Sequence, residues 1–376
     1  MVSLVLMRWH HRLVLFATRC LLGVQARRAA ARPVHSRAAA SANKWVSLVT
    51  WNLLAPCFVS PSKYPWAGAQ ALDWQHRHER ILSQLARLDA DVVCLQEVER
   101  ASWDRLNADF HELGYDSVLQ QSTSNVENPI ANVVLLRRGQ LELVRAESRS
   151  RALITVLQAA GASDEGLAEG EEARLYLANV HFEAGADKAA QRQFQLNSLL
   201  KRLVFQRSLD VAAASGRPRA LAPSSDASGA PIVIAGDFNC DRRSPLYTFL
   251  SEGVAADETK QTPSSAQVLL PLTDAYSSAP PPWGPPLRSS YRNGRILDFI
   301  WTSPSVRVLR TMPVCNAAGS AQPHRIPSID HPSDHMPLGA LISWAGAPVE
   351  VSGQRPAWQQ LYVENVIRGD NNFVSG

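Results

Sequence analysis

The pattern of hydrophobic and polar positions predicts an alternation of β-strands and α-helices from Trp45 onward. Apolar residues alternate or run together over short segments, as they do in half-buried and fully buried strands. Residues 74–88 instead place Ile81, Leu85 and Leu88 at helical spacing, so one face of this helix should pack against a sheet. A second helix is expected in ASWDRLNADFHELG, ended by Gly114. The predicted strands are WVSLVTWNLL, DVVCLQ, ANVVLLRR, RALITVLQ, RLYLANVHF, IVIAGDF, RILDFIWT and LGALISW.

This mixed order of elements predicts an α/β fold with two packed sheets and helices on their outer faces. A chain of 376 residues is compatible with one catalytic domain. Three segments read as surface insertions: the acidic residues 159–173, the low-complexity residues 212–231, which we expect to be disordered, and the proline-rich residues 277–287. Within the last, Trp283 is either a lid on the core or a stacking platform for a nucleobase.

The N-terminal residues have the composition of a targeting segment. Residues 1–44 contain seven arginines and one lysine but no acidic residue, as is typical of organellar transit peptides. We expect a mitochondrial location, with the plastid or the cytoplasm as alternatives. A secretory signal fits less well because the apolar run LVLFAT is short and followed at once by Arg19. The predicted boundaries are 1–44 for the leader, 45–346 for the catalytic domain and 347–376 for a C-terminal tail.

The net charge of +4 is concentrated in this leader. Without its eight basic residues, 30 basic side chains remain against 34 acidic ones, so a polyanion would have to meet a local basic patch. The five cysteines form neither a CxxC pair nor a closely spaced framework, which argues against a zinc site or a disulfide scaffold. No later segment is long and apolar enough to span a bilayer. Protein partners are not readable from the sequence.

Short polar motifs stand at the ends of several apolar runs, where charged side chains are costly unless a metal, a partner or a substrate satisfies them. In GDFN, Gly236 permits a tight turn, and Asp237 and Asn239 can face one side of an extended segment. Glu97 ends an apolar strand and can reach a hard cation, although such a residue more often forms a surface salt bridge. The other motif residues are Asn52, His181, Asp298, Asp334 and His335.

The combined order of these motifs predicts a magnesium-dependent phosphoester hydrolase. Asp237 can orient or deprotonate a water molecule, and the amide of Asn239 can donate to a phosphate oxygen. Asp298 is placed to hold His335 in one tautomer or to stabilise its cation. Each motif alone has an ordinary alternative, since Asp and Asn favour turns in any protein. Their shared order along the chain is the specific signal.

The segments WNLLAP, LQEV, GDFN, LDFIWTS and PSDHMPL resemble the endonuclease/exonuclease/phosphatase superfamily, above all its nocturnin and carbon-catabolite-repressor-type deadenylase branch. The resemblance runs from Val46 to Trp344. It implies a DNase I-like four-layer α/β sandwich with the substrate in the cleft where strand ends converge. It also implies Mg²⁺ as the cofactor, with Mn²⁺ as an alternative, held chiefly by Glu97 with support from Asn52 and Asp334.

The same resemblance implies roles for the remaining motif residues. Asp237 would activate the attacking water, and Asn239 and His181 would hold the scissile phosphate. His335 and Asp298 would stabilise the transition state. The chemistry implied is an in-line attack on phosphorus, in which the metal and an imidazole counter the charge on the phosphoryl oxygens.

Some positions depart from the branch. Asn128-Pro129-Ile130 stands where related deadenylases usually carry Asp-Gly, so a substrate-facing loop is expected to differ. Nocturnin-like proteins that act on a dinucleotide phosphate would carry basic residues where this chain has Glu183 and Gly185, which disfavours that substrate. Arg192 and Arg295 remain as candidate phosphate contacts, although each has the ordinary alternative of a surface arginine.

Three functions remain open at this point. The first is a 3′-5′ exoribonuclease of the poly(A)-deadenylase type, with an RNA 3′ end as its partner. The second is a hydrolase of a small nucleotide, such as the 2′-phosphate of NADP or 2′-5′ oligoadenylate. The third is a catalytically dead binding module, against which the complete set from Asn52 to His335 argues.

Overall fold

The computed structural model describes residues 45–123, 128–160, 174–215, 229–253, 271–278, 295–312 and 325–344. The leader, the C-terminal tail, Trp283 and most of the three predicted insertions lie outside these ranges. The expectations for them, including the domain boundaries, stay predictions. No helix among the described residues combines the length and the hydropathy needed to cross a membrane.

The described residues form strands and helices in an alternating order. The strands are β1 (Val46–Asn52), β2 (Val92–Glu99), β3 (Tyr115–Leu119), β4 (Ile130–Arg137), β5 (Leu141–Arg149), β6 (Ala152–Ala159), β7 (Leu175–His181), β8 (Ile232–Asp237), β9 (Thr273–Asp274), β10 (Asp298–Thr302), β11 (Val306–Thr311) and β12 (Leu338–Trp344). The α-helices are α1 (Ala69–Leu72), α2 (Trp74–Leu88), α3 (Trp103–Glu112), α4 (Ala189–Ser215), α5 (Pro245–Glu252) and α6 (Ala275–Ser278).

Two six-stranded mixed sheets confirm the predicted fold class. Sheet A has the strand order β11-β12-β1-β2-β4-β3, and sheet B has the order β5-β6-β7-β8-β10-β9. Each sheet contains one parallel pair, β1 with β2 in sheet A and β7 with β8 in sheet B, among otherwise antiparallel neighbours. The carboxyl ends of these parallel strands are the natural place for a binding cleft, because side chains from neighbouring strands converge there.

Three layers of apolar side chains fill the sandwich and give it four layers of secondary structure. The middle layer packs sheet A on sheet B, with Leu48 facing side chains such as Leu177. A second layer joins sheet A to α2 and α3, and it contains the predicted helix positions Ile81, Leu85 and Leu88. The third layer packs sheet B against α4 and α5. The four-layer α/β sandwich expected from the sequence is therefore the observed architecture.

Several elements were not predicted from the apolar pattern. Helix α4 has 27 residues, and its buried apolar cluster lies around its middle, at Leu196, Leu199, Leu200 and Leu203. The expectation of disorder across residues 212–231 is wrong at both ends. At the start α4 continues to Ser215, as the high helix propensity of alanine favours, and near the end Ala230 is buried in the core. Strands β5 and β11 lie at sheet edges with many polar, solvent-facing residues, so their alternation is weak.

Candidate active site

The predicted motif residues meet where the parallel strands of both sheets end. Asn52 is the last residue of β1, His181 the last of β7 and Asp237 the last of β8. Asp298 opens β10 and pairs with Asp237 in the ladder, and His181 pairs with Asp237 from the other side. The register of sheet B alone therefore places three site residues on adjacent strands.

Glu97 is turned toward this region by a bulge in β2. The pairing of β2 with β4 shifts register between Leu95 and Val98, and Glu97 has a φ of 55°, which is unusual for a residue with a side chain. A bulge re-aims a side chain in this way. The Glu97 carboxylate accepts a hydrogen bond from the backbone N–H of Ala55 at 3.0 Å and another from Asn52 Nδ2 at 3.1 Å.

Asn52 joins carboxylates from the two sheets. Its Nδ2 donates to Glu97 Oε1 and to Asp237 Oδ2, at 3.1 Å in both cases. Its Oδ1 accepts from the backbone N–H of Leu54 at 2.9 Å. Glu97 and Asn52 belong to sheet A and Asp237 belongs to sheet B, so one buried amide connects the two sheets. Asn52 and Asp237 are 185 positions apart in the chain.

His335 and Asp298 form a buried pair. His335 Nδ1 donates to Asp298 Oδ2 at 2.8 Å, and His335 Nε2 lies 3.8 Å from Asp237 Oδ2. Burial opposes a charge on the imidazole, but the carboxylates of Asp298 and Asp237 outweigh it and hold the pKa of His335 well above its ordinary value. The pair therefore presents an oriented cation whose second nitrogen faces Asp237.

His181 lies near the same carboxylates, but its environment favours the neutral imidazole. Its Nε2 lies 3.8 Å from Glu97 Oε1 and 3.9 Å from Asp237 Oδ2, and burial lowers its pKa. Burial and the neighbouring Asp298 raise the pKa of Asp237 to about 6, against the opposing effect of His335. Burial likewise raises the pKa of Glu97. The site thus holds acidic groups in surroundings that poorly solvate their negative charge.

This donor set fits a hard divalent ion. Within the described part of the chain, the ion-pair neighbours of Glu97 and Asp237 are histidines, and neither carboxylate pairs with lysine or arginine. Buried carboxylates without such partners are costly unless a cation joins them. Carboxylate oxygens are donors that Mg²⁺ and Mn²⁺ prefer. Carboxylate oxygens of Asp237 and Asp298 and a ring nitrogen of His335 also lie within 4.8 Å of one another, and His335 is already bonded to Asp298.

Asn239 and Asp334 complete the set of eight motif residues. Asn239 has a φ of 50°; its backbone N–H donates to Asp237 Oδ1 at 2.8 Å, and its side chain donates to the backbone carbonyl that follows β7. Asp334 Oδ2 accepts from the hydroxyl of Tyr64 at 2.9 Å, and its charge contributes to the raised pKa of Glu97. The motif residues thus share one neighbourhood, and the chemical roles implied for them stay predictions.

The two arginines predicted to contact phosphate have different surroundings. Arg192 is buried, and its Nη1 donates to the backbone carbonyls of Glu183 and Gly185 at 2.9 and 2.7 Å. It therefore fixes the loop after β7. The side chain of Arg295 is half exposed and lies 3.9 Å from Asp241 Oδ2. A phosphate contact stays a prediction for both.

Sequence reasoning missed the residues that hold the motif loops in place. Arg77 is completely buried in α2, and Ser333 Oγ donates to the backbone carbonyl of Asn52 at 2.6 Å. A signal for Arg77 was present, because it precedes Ile81 by four residues and so lies on the apolar face of the helix. A charged residue on such a face requires a partner in the fold.

The sequence pattern of the Endonuclease/Exonuclease/phosphatase family matches residues 49–203 and 205–335, which contain all eight motif residues. The chain belongs to the endonuclease/exonuclease/phosphatase family. Membership confirms the superfamily resemblance that the motifs predicted. Family members are hydrolases of phosphoesters, and the buried acidic and imidazole groups described above agree with their typical dependence on a divalent metal.

Relatives within the endonuclease/exonuclease/phosphatase family agree with the predicted branch. Carbon catabolite repressor protein 4 homolog 4 of Arabidopsis thaliana is 25% identical over 338 residues, which cover 78% of this chain and 76% of that protein. The 2′,5′-phosphodiesterase 12 of Mus musculus is 24% identical over 80% of this chain. This chain spans only 52% of that phosphodiesterase.

Solved structures of the same family share the fold. ANGEL2, described as a 2′,3′-cyclic phosphatase, superposes with a TM-score of 0.61 and 21% identity over 80% of this chain and 96% of its own. The catalytic domain of human nocturnin superposes with a TM-score of 0.52 and 18% identity, over 80% of this chain and 94% of its own. Both confirm the four-layer sandwich.

Proposed function

We propose that this protein is a divalent-metal-dependent 3′-5′ exoribonuclease that shortens adenylate-rich RNA 3′ ends. One observation carries the proposal: Asn52 Nδ2 joins the carboxylates of Glu97 and Asp237 from the two sheets, at 3.1 Å each. Such a convergence of buried oxygen donors supports a metal-dependent attack on phosphorus. The similarity to a carbon catabolite repressor protein 4 homolog supports the substrate class.

The proposed mechanism assigns side chains of this chain to the attacking water and to the charge on the phosphate. As water attacks phosphorus, the P–O3′ bond breaks and the leaving 3′ oxygen takes a proton from solvent. Asp237 accepts the proton of the attacking water, and a pKa of about 6 suits a base at neutral pH. His335, held by Asp298, directs its Nε2 toward the phosphoryl oxygens, where its positive charge stabilises the charge that develops in the transition state. Asn239 and His181 hold the scissile phosphate in line with the water.

Glu97, Asn52 and Asp334 are the residues that would hold Mg²⁺, with Mn²⁺ as the alternative ion. A bound ion would supply Lewis-acid polarisation of a phosphoryl oxygen. The choice of a hard cation is supported by the carboxylate oxygens of Glu97 and Asp334, since softer metals prefer sulfur or several imidazoles.

A small nucleotide is the second candidate substrate, and the similarity to a 2′,5′-phosphodiesterase supports it. Of the two small substrates considered, 2′-5′ oligoadenylate is better supported than NADP. Glu183 follows His181 by two residues and pairs with Arg151, which neutralises the guanidinium. That guanidinium is therefore not free to bind an additional 2′-phosphate on this side of the site.

The decisive experiment compares substrates and variants of the purified full chain. Labelled RNAs that end in A-runs or U-runs, 2′-5′ oligoadenylate and NADP are each incubated with Mg²⁺. We expect stepwise shortening of A-runs that stops in chelator and falls at least about a hundredfold in Glu97→Gln. Glu99→Gln is the matched control, because Glu99 lies two residues along the same strand and accepts bonds from Cys57 and Ser102.

The outcomes separate the candidates. Undiminished activity in Glu97→Gln or in chelator would refute the proposal. Turnover of 2′-5′ oligoadenylate without trimming of RNA would favour the second candidate. If Glu97→Gln and Glu99→Gln lost the same activity, the loss would not depend on the position of the carboxylate, and the role proposed for Glu97 would be refuted.

We also propose that residues 1–44 direct the protein to mitochondria, as their seven arginines and lack of acidic residues support. Fused to a fluorescent protein, this segment should colocalise with a mitochondrial marker. Replacement of its arginines by glutamine should abolish that location, and a cytoplasmic or plastid signal from the unaltered segment would contradict the proposal.

A further inference from the structure

Arg77 is a completely buried arginine outside the set of motif residues, with no solvent exposure. Burial lowers its pKa to about 10, although Asp334, Tyr64 and Glu97 act in the opposite direction. At that pKa the guanidinium is still charged at neutral pH. A buried charge is tolerated only where nearby groups replace the hydrogen bonds to water. The guanidinium of Arg77 must therefore be held by partners within the fold.

The guanidinium of Arg77 donates to the backbone of two separate loops. Nε donates to the carbonyl of Pro332 at 2.6 Å, and Nη2 donates to the carbonyls of Leu53, at 2.7 Å, and of the next residue, Leu54. Leu53 directly follows Asn52, and Pro332 stands two residues before Asp334. One side chain therefore connects the segment that follows Asn52 to the loop that carries Asp334, and both residues are predicted metal ligands.

Tyr64 holds the second of these loops by its side chain. Tyr64 is 1% exposed, and its hydroxyl donates to Asp334 Oδ2 at 2.9 Å. This bond leaves the other carboxylate oxygen of Asp334 for a further ligand and restricts the rotation of the group. We refer to Arg77 and Tyr64 together as the loop clamp.

We propose that the loop clamp sets the distance between Asn52 and Asp334 and thereby the affinity of the site for its divalent ion. The inference rests on the proposed function, in which these residues and Glu97 bind the ion. Arg77 acts through backbone carbonyls and Tyr64 acts through Asp334, so both are positioning residues. Their effect follows from the near-ideal octahedral geometry that Mg²⁺ demands of its ligands and from the tuning of ligands by the groups behind them.

The test measures ion binding without substrate, so its readout does not depend on turnover. Titration calorimetry with Mn²⁺, and then with Mg²⁺, is performed on the full chain and on Arg77→Lys. Lysine keeps the positive charge but has a single nitrogen that cannot span the carbonyls of both loops. We expect Kd for Mn²⁺ to rise about tenfold or more.

Arg145→Lys is the matched control. Arg145 lies in β5 of sheet B, where its guanidinium donates to Gln206 and Asp210 of α4, so the same substitution removes a comparable set of bonds at a place without motif residues. We expect a lower melting temperature in both variants but an unchanged Kd in Arg145→Lys.

Tyr64→Phe provides a second, milder variant. It removes only the hydroxyl that donates to Asp334, so it should fold even where Arg77→Lys does not, and we expect its Kd for Mn²⁺ to rise severalfold. A wild-type Kd in Tyr64→Phe, or in a folded Arg77→Lys, would overturn the inference and leave the clamp a purely structural role. If the wild-type chain itself bound neither Mn²⁺ nor Mg²⁺, the proposed function would fail and the inference with it.

Discussion

The two sheets hold their halves of the site by different means. In sheet B, ladder pairing sets His181, Asp237 and Asp298 on adjacent strands, so the backbone register fixes them. In sheet A, the ladder pairs Asn52 with Gln96, but Asp334 lies in a loop, and side chains from elsewhere tie that loop to the end of β1. One half is thus built into the sheet, and the other depends in part on side-chain contacts. We expect the two halves to respond differently to substitution and to acid.

The largest expected effect is that of Gly236→Ala, which tests the backbone pairing of sheet B. Gly236 has a φ of +145°, and a Cβ added there would lie 2.0 Å from the carbonyl oxygen of Val180. Alanine is accommodated only if β7 and β8 separate. We expect a loss of about 4 kcal/mol or more in the free energy of unfolding, measured by urea denaturation and circular dichroism.

Gly339→Ala makes the same change in β12 of sheet A and serves as the control. A Cβ there would lie 3.2–3.3 Å from Val49, Leu48 and Met312, a tight approach that small shifts relieve. We expect a loss of about 1–2 kcal/mol. If the two alanine variants lost the same free energy of unfolding, the close backbone pairing of β7 with β8 would not distinguish sheet B from sheet A.

The same distinction explains how much of the site could be predicted from the sequence. Asp237 and Asp298 stand out because a carboxylate after an apolar run is visible in the sequence, and strand pairing then brings such ends together. The fold class could also be predicted, because the order of strands and helices is visible as apolar runs in the sequence. By contrast, the bulge that turns Glu97 depends on its pairing with β4, which no local pattern encodes.

Contacts to backbone carbonyls were the hardest to foresee. Arg77 and Arg192 both donate to carbonyls, and a carbonyl is present at every residue, so the sequence carries no mark of the partner. For Arg192 the sequence therefore offers a candidate phosphate contact or an ordinary surface arginine but no sign of its carbonyl partners, and it offers no sign of the partners of Arg77. Helix α4 went unpredicted although Leu196, Leu200 and Leu203 stand at helical spacing.

An intermediate effect is expected for Asn179→Leu, which tests the connection between the sheets. Asn179 Nδ2 donates to the carbonyls of Leu95 and Val133, at 2.9 Å each, and its Oδ1 accepts from Gln96 Nε2 at 2.8 Å. Since Gln96 precedes Glu97, this buried bridge aligns the strand end of sheet A with sheet B. Leucine removes all of these bonds and takes away the side-chain donor of the buried carbonyls of Leu95 and Val133. We therefore expect a loss of about 3 kcal/mol in the free energy of unfolding, measured by thermal unfolding.

Thr155→Val is the control for the bridge. Thr155 is equally buried in sheet B, but its hydroxyl donates within that sheet, to the carbonyl of Leu177 at a long 3.4 Å. We expect a loss of no more than about 1 kcal/mol. If both variants lost the same stability, the bridge between the sheets would have no special role.

The smallest expected effect concerns acid and the loop of sheet A. His331, three residues before Asp334, is buried, and its Nδ1 donates to the carbonyl of Ser333 at 3.0 Å. Burial lowers its pKa to about 4, although the Ser333 carbonyl and Asp334 oppose the shift. The ring therefore stays neutral in the folded protein at a pH where an exposed histidine is charged.

The direction of the pH dependence follows from that difference. Between an unfolded-state pKa of 6.5 and a folded-state pKa of about 4, the unfolded chain binds more protons, so stability falls as the pH drops through this window. At pH 5 the expected loss from His331 is about 2 kcal/mol.

The variant His331→Gln removes this proton uptake. Its free energy of unfolding, measured by urea denaturation, should therefore fall less between pH 8 and pH 5 than that of the wild type, by about the same 2 kcal/mol. At pH 8 the two proteins should differ only through packing. An identical pH response in both proteins would mean that His331 does not cause the loss of stability in acid. The acid sensitivity would then come from another part of the chain than the loop that carries Asp334.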